Sequence, residues 1–348
     1  MFPTILFVHL GRKLPRYLIE NIWRTKKLFP ESNVVLVHNQ NENSANLSKF
    51  VESGVELFFF EKRRLLELSL EVPQLDVDTK FWKGYWQLTF ERLFAVGDYQ
   101  RENPNNPLIH VESDVVLFPD FPFESFLELD SLAWPKVSNS HDVASIVYSP
   151  NFDRYSEFMS HLIEVAKETP STTDMLALSV IAARFPGRYA ALPTMFSHDS
   201  STNPIFGDRG SWEVFRGVFD GLTLGYWFTG RDPKNAWGVR KRYLCPLNSP
   251  LDYSSFRFSV DNLGQIRMND EIPVFNLHVH SKNLGYFKFP NITFLQKEVN
   301  LVNSRKSAIA FSMSGLFVSI RTHYKDLIRA AISIENWSKL FLGSDKKT

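Results

Sequence analysis

The sequence predicts an α/β fold in which a mostly parallel central sheet is flanked by helices. Three observations predict it. Residues 4–10 (TILFVHL) and 33–38 (NVVLVH) are short apolar, β-branched runs of strand length. Between them lies a stretch with helical spacing of its apolar residues, and strands joined by a helix pair in parallel. Of the 348 residues, 44% are hydrophobic, enough to bury a sizeable core.

The elements follow in order. Gly11 ends the first run, and Leu14-Pro15 opens a helix, with proline early, where no amide donor is needed. Leu14, Leu18 and Ile22 recur every fourth residue, and Pro30 closes the helix. Residues 55–60 (VELFFF) make a third strand, and 61–80 read as loop with short helix. From 81 to 96, Trp82, Tyr85, Trp86, Thr89, Leu93 and Val96 fall at helical spacing. The cluster NPNNP at 103–107 is a turn, and 108–111 is a strand that runs straight into Glu112-Ser113-Asp114. Residues 132–134 and 144–148 are further strands. Helices are expected at 152–167 and 174–185, the second capped by Ser171 or Thr172. From 193 to about 240 the chain is rich in Gly, Pro, Asn and Trp, without clear period; a loop region this long points to function. Residues 273–279 (PVFNLHV) are read as a last single strand.

After about residue 300 the character changes. Leu316, Ile320, Tyr324, Leu327, Ala331, Ile334, Trp337 and Phe341 follow helical spacing, and residues 301–348 carry 8 Lys+Arg against 3 Asp+Glu. The expected organisation is one domain over 1–300 and an amphipathic helical extension over 301–348. A basic amphipathic tail suits peripheral contact with a membrane surface; the rival reading is a helical cap or a contact between protomers. The oligomeric state is not legible.

The whole chain is nearly balanced, at 39 Lys+Arg and 38 Asp+Glu, so it has no electrostatic footprint for nucleic acid. Its one cysteine, Cys245, points to a reducing compartment. The apolar start lacks a basic region and a cleavage site, and no apolar run reaches the roughly 18 residues of a bilayer span. The expected location is cytoplasmic, with peripheral membrane contact through the tail at the inner face.

Two motifs carry chemistry. Glu112 and Asp114 stand two apart at the carboxyl end of an apolar strand, where ligands bind in open α/β sheets. Acidic groups buried there need a partner, and hard oxygen ligands suit Mg²⁺ or Mn²⁺ bridging phosphates. The plainer reading is a polar turn after a strand. The second motif is 276–283, NLHVHSKN. His278 and His280 lie two apart, on one face of a strand end, and an imidazole can complete a carboxylate-bound Mn²⁺ site. Lys282 is a compact cation suited to a diphosphate. Here the plainer reading is a strand histidine beside a solvated lysine.

The order of these parts over roughly residues 3–290 resembles bacterial GT-A glycosyltransferases: an HLG strand, an amphipathic helix, a second strand, an Arg-bearing helix, a strand ending in ESD and a late HVHSKN. The resemblance implies a GT-A, Rossmann-like fold and a divalent metal, Mn²⁺ or Mg²⁺. It also implies a UDP- or GDP-sugar donor and a glycan or glycolipid acceptor. By position, Asp114 resembles the principal metal ligand. Glu112 takes the first acidic place, where Asp is usual. His278 and His280 compete for the imidazole ligand, and Lys282 resembles the diphosphate contact. His9 and Gly11 resemble the loop that holds the nucleotide, with Gly11 allowing close backbone approach. Arg92 resembles an arginine near the donor.

Two further carboxylates are candidates. Asp174 opens a helix and could serve as general base in an inverting transfer, although Asp in a first turn is also favoured by the helix dipole. Asp220, in a Gly-studded stretch, resembles an aspartate that meets sugar or acceptor. The aromatic stretches 81–86 and 212–237 are candidate sugar platforms. The resulting expectation is a metal-dependent glycosyltransferase, hexosyltransferase-like, acting in surface polysaccharide synthesis. The rivals are a sugar nucleotidyltransferase, disfavoured by the single glycine in HLGRKLP, and a non-catalytic carbohydrate-binding protein on the same fold. A glycosidase ranks last, because Glu112 and Asp114 lie side by side instead of flanking a cleft.

Overall fold

The computed structural model describes residues 2–11, 13–39, 45–66, 71–77, 84–137, 141–194, 209–229, 256–280, 282, 284 and 299–300. In chain order the elements are β1 (Thr4–His9), α1 (Arg16–Leu28), β2 (Val34–His38), α2 (Ala45–Glu52), β3 (Glu56–Phe59), a single turn α3 (Arg63–Leu66) and α4 (Tyr85–Glu102). Next come β4 (Leu108–Val111), β5 (Val115–Leu117), α5 (Phe123–Phe126), β6 (Leu132–Pro135), β7 (Ile146–Ser149), α6 (Phe152–Glu168), α7 (Asp174–Arg184) and β8 (Tyr189–Leu192). The last are α8 (Arg209–Phe215), α9 (Thr223–Thr229), β9 (Phe258–Val260), β10 (Ile266–Met268), β11 (Ile272–Pro273) and β12 (Asn276–His278).

Seven strands form one sheet in the order β3-β2-β1-β4-β7-β6-β8. β7 is antiparallel to both β4 and β6, and every other pairing in this sheet is parallel. This is the mostly parallel, Rossmann-like α/β architecture that the sequence predicts. The strands alternate between two buried faces, as parallel strands covered on both sides do. Ile5, Phe7, Val34 and Leu36 pack with Leu18 and Ile22 of α1 on one face. Leu6, Val8, Val35 and Val37 pack with the aromatic side of α4 and with α6 and α7 on the other. Helix α4 is deeply enclosed; its residues from Leu93 to Gln100 are all buried.

The topology sets the position of the site. From β1 the chain moves outward through β2 to β3, then crosses back by α4 to enter β4 on the other side of β1. The strand order therefore reverses between β1 and β4, and such a reversal opens a crevice at the carboxyl ends of the strands. Past Val111 the chain leaves the sheet, and β5 pairs antiparallel with β12 in a separate two-stranded ribbon. A third core cluster, including Val116, Phe228, Ile266, Val274 and Leu277, lies under this ribbon and the antiparallel sheet β11-β10-β9.

Several boundaries differ from expectation. Residues 273–279 are not one strand. Pro273 ends β11, and β12 spans Asn276–His278. A proline lacks the amide for a continuous ladder, so the segment splits into two short pairings. The cap of α7 is Thr173, whose hydroxyl accepts from the Leu176 amide at 3.4 Å; it is neither Ser171 nor Thr172. Pro15 sits one place before α1, in extended backbone. The aperiodic stretch after 193 contains α8 and α9, whose seven-residue lengths give too few turns to show a period. Cys245, Phe81, Trp82 and Trp237, and the whole extension 301–348, lie outside the described residues. Among the described residues, no helix is long and apolar enough to cross a membrane.

Candidate active site

The site is built where β4 ends. The Glu112 amide donates to Ser145 O at 3.0 Å, and the chain turns tightly, with the Val115 amide donating to Glu112 O at 3.0 Å. Asn21 of α1 holds this turn from behind; its side-chain amide donates to Val115 O at 2.7 Å and Ser113 O at 3.2 Å. Arg24 reaches Leu117 O at 2.5 Å. Register then brings the distant motif in. His278 pairs with Val115 across the ribbon, and the Val279 amide donates to Asp114 O at 2.8 Å.

Glu112, Asp114 and His278 converge, each with one ligand atom within 4.8 Å of the others, and all three residues are buried. His278 Nε2 lies 3.3 Å from Asp114 Oδ2 and 3.5 Å from Glu112 Oε2. Its Nδ1 is 2.9 Å from Gly221 O, and since a carbonyl only accepts, Nδ1 carries a proton. In the neutral ring, Nε2 then turns a bare lone pair toward two carboxylates. Glu112 Oε2 is buried without a hydrogen-bond partner among the described residues. Three electron-rich atoms facing one another, with the Lys282 ammonium as counter-charge on Asp114 Oδ2, fit a divalent cation, and the mixed oxygen and imidazole set suits Mn²⁺ or Mg²⁺.

The neighbouring charges are arranged around this cluster. Arg92, on α4, donates to Glu112 Oε1 at 2.5 Å and to Asp174 Oδ2 at 3.1 Å, so one guanidinium bridges two carboxylates. Burial alone would push the Glu112 carboxyl up, but Arg92 and then His278 hold it down at about 2. Burial keeps the Asp174 carboxyl above the ordinary aspartate range, although Arg92 opposes it. The Lys282 ammonium pairs with Asp114 Oδ2 and lies 5.6 Å from the Tyr17 ring. Tyr85, at the start of α4, is held protonated first by burial, then by Glu112 and Asp174.

His280 does not join the cluster. The rings of His278 and His280 stack at 4.2 Å, as their shared face predicts, but His280 Nε2 is 3.0 Å from Leu222 O. Burial and the adjacent His278 push the His280 ring well below its usual pKa. Asp220 is 1% exposed and spends its carboxylate on backbone. Oδ1 accepts from the Leu224 amide at 3.0 Å, and Oδ2 accepts from the amides of Gly225 at 2.7 Å and His278 at 2.8 Å. Burial pushes its carboxyl up to about 6 against these donors. Asp220 thus ties the start of α9 to β12 and fixes where His278 stands.

Gly225 makes that tie sterically feasible: a Cβ there would fall 1.9 Å from His278 O and 2.8 Å from Asp220 Oδ2. Gly225→Ala is therefore expected to push β12 off the helix. A lower melting temperature together with weaker Mn²⁺ binding is the expected outcome. A variant that melts and binds like the wild type would mean that His278 is held some other way.

His9 ends β1, and both His9 and Ser113 lie two residues past the β1–β4 pair Phe7↔Val111. Burial lowers the His9 ring's pKa, and Nε2 is buried without a hydrogen-bond partner among the described residues. The close approach at Gly11 is to this ring: a Cβ would meet His9 Nε2 at 2.9 Å. Sequence reasoning missed Asn21 and Ser145, and the steric role of Gly225. Asn21 had a signal, a polar residue inside the apolar stripe of α1 beside Leu18, Ile22 and Thr25, all buried. Gly225 lay in the Gly-studded stretch with Asp220, without a role of its own, and Ser145 had no signal.

No family model matches the chain, and no curated protein matches it. Partial likenesses exist among solved structures. The galactosyltransferase LgtC, in complex with donor and acceptor sugar analogues, has 10% identity and a TM-score of 0.37, over 55% of this chain and 73% of that one. The apo-form glycosyltransferase GlyE of Streptococcus pneumoniae TIGR4 has 15% identity and a TM-score of 0.35, over 55% and 45%. The PaToxG glycosyltransferase has 12% identity and a TM-score of 0.32, over 53% and 70%.

Proposed function

We propose that this chain is a metal-dependent glycosyltransferase of the GT-A type, which moves a sugar from a nucleoside-diphosphate donor, UDP- or GDP-linked, to a glycan or glycolipid hydroxyl. The observation that supports this most is the convergence of Glu112, Asp114 and His278 at the reversal point of the sheet, with Lys282 beside them. Asp114, Glu112 and His278 would hold Mn²⁺ or Mg²⁺, which when bound supplies positive charge to the departing diphosphate. Lys282 adds a second cation at the same edge. Arg92 keeps Glu112 ionised and oriented. Asp174 is the proposed base for the acceptor hydroxyl: burial raises its affinity for a proton, the direction general-base work requires. Inversion at the anomeric carbon follows from that assignment. The basic composition of 301–348 supports a cytoplasmic protein at the inner face of a membrane, with a lipid-linked acceptor in surface polysaccharide synthesis.

The test is the melting temperature of the purified protein against a panel of nucleoside diphosphates, with and without Mn²⁺. A ligand present at about 100 times its Kd stabilises the native state by about 2.7 kcal/mol, which a melting curve resolves readily. A rise with UDP or GDP that requires Mn²⁺ is the expected result and names the base. A flat response to every nucleotide would end this reading.

A further inference from the structure

We propose that Lys282 is a tethered counter-ion that closes the acidic cluster to a lone divalent cation and opens it when a nucleoside diphosphate offers the ammonium a new partner. This rests on the reading of the site as one for a metal and a nucleotide. The ammonium pairs with Asp114 Oδ2, the oxygen that also lies 3.3 Å from His278 Nε2. The atom most central to a cation's coordination is therefore already taken by a cation of the chain itself.

The backbone aims Lys282 at this place. It follows the end of β12 by four residues, in a turn where its amide donates to Val279 O at 2.9 Å. Its φ of 56° lies in the left-handed region, which a non-glycine residue adopts only when its surroundings impose it. The Lys282 side chain is 30% exposed, whereas that of Asp114 is 6% exposed. Tyr17 offers the ammonium a second seat, its ring centroid 5.6 Å from Nζ, and cations are attracted to such faces.

The consequence is a coupling of two ligands. A divalent cation binding alone must displace the ammonium from Asp114 and then sit beside it, like charge against like. A diphosphate would bring anionic oxygens able to take up the displaced ammonium and to offset the charge of the metal. Each ligand then improves the binding of the other by the same factor. The lysine is what makes the metal wait for the nucleotide.

The experiment measures Mn²⁺ binding by the electron paramagnetic resonance signal of free Mn²⁺, for wild type and Lys282→Met, with and without UDP or GDP. Calorimetric titration of the nucleotides into the Mn²⁺-loaded proteins accompanies it. Couplings between sites commonly reach about 5- to 150-fold. The expected result is a reversal of sign. Without nucleotide, the variant binds Mn²⁺ at least ~5-fold more tightly than wild type; with Mn²⁺ present, it binds nucleotide at least ~5-fold more weakly. A lysine with a merely structural role would not move the two affinities in opposite directions. Lys282→Arg retains the cation and is expected to keep the wild-type threshold for Mn²⁺. If circular dichroism shows Lys282→Met unfolded, Lys282→Gln carries the same expectation. Equal or weaker Mn²⁺ binding by the neutral variant, without nucleotide, overturns this inference and leaves the metal site standing. No Mn²⁺ binding by any of the proteins, with or without nucleotide, overturns both.

Discussion

Asp114→Asn is expected to lose the Mn²⁺-dependent response to nucleotide and to lower transfer activity by about 10²- to 10³-fold. That is the size of effect seen when one charge-stabilising group is removed from an active site. The change is close to isosteric, so the turn held by Asn21 and the amide of Val279 stays in place. What disappears is the charge at Oδ2, the atom that faces both Lys282 and His278. An amide oxygen is a weak ligand for a hard divalent cation, and it leaves Glu112 and His278 as a pair too small to hold one firmly. Melting curves separate this outcome from misfolding. The variant should melt cooperatively without ligand and show no added stability with Mn²⁺ and UDP or GDP. A variant that keeps the metal-dependent shift would remove Asp114 from the site.

Arg92→Met is expected to be the most destabilising single change at the site. The guanidinium is largely enclosed, its side chain 11% exposed, and it is shared by Glu112 and Asp174, whose side chains are 11% and 6% exposed. Removing one member of a buried ionic group leaves the others charged and unpaired, which typically costs about 3–5 kcal/mol. The effect should depend on pH with a definite sign. In the wild type, the Glu112 carboxyl is held at about 2, below the 4.5 of an ordinary glutamate. Its contribution is therefore complete above about 4.5 and is lost as pH falls toward 2. Without Arg92, burial dominates, and both carboxyls take up protons at higher pH. The variant thus regains stability on acidification, while the wild type loses the Glu112 contribution. Urea unfolding at pH 7 and pH 4 should show the gap between the two proteins narrowing at the lower pH. A gap that is constant or wider at pH 4 would mean that Arg92 acts through packing alone.

Much of the fold was legible because it is encoded locally. The β-branched runs at 4–10, 33–38 and 108–111 became β1, β2 and β4 to within about a residue or two, and the helices at 152–167 and 174–185 became α6 and α7. In each, the period of burial and the flanking turn residues sit within a dozen positions of one another. The segment 273–279 and the stretch after 193 were misread, since very short strands and seven-residue helices owe their form to what they pack against. The placement of Glu112 and Asp114 at a strand's carboxyl end was also legible, from the apolar run that precedes them.

By itself, then, the sequence determined an α/β sheet, an acidic pair at the end of β4, and two histidines on one face of a late strand. Only the tertiary structure decided which histidine meets the carboxylates. Alternation places His278 and His280 alike, and the choice falls to the β5–β12 register, which sets His278 opposite Val115 and leaves His280 against Leu222. Tertiary packing likewise tied Asp220 to the His278 amide and joined Asp174 to Glu112 through Arg92. The physical reason is common to all of these. A side chain's chemistry follows from its type, but its partner follows from pairings between segments dozens to more than a hundred residues apart, and no local pattern encodes those.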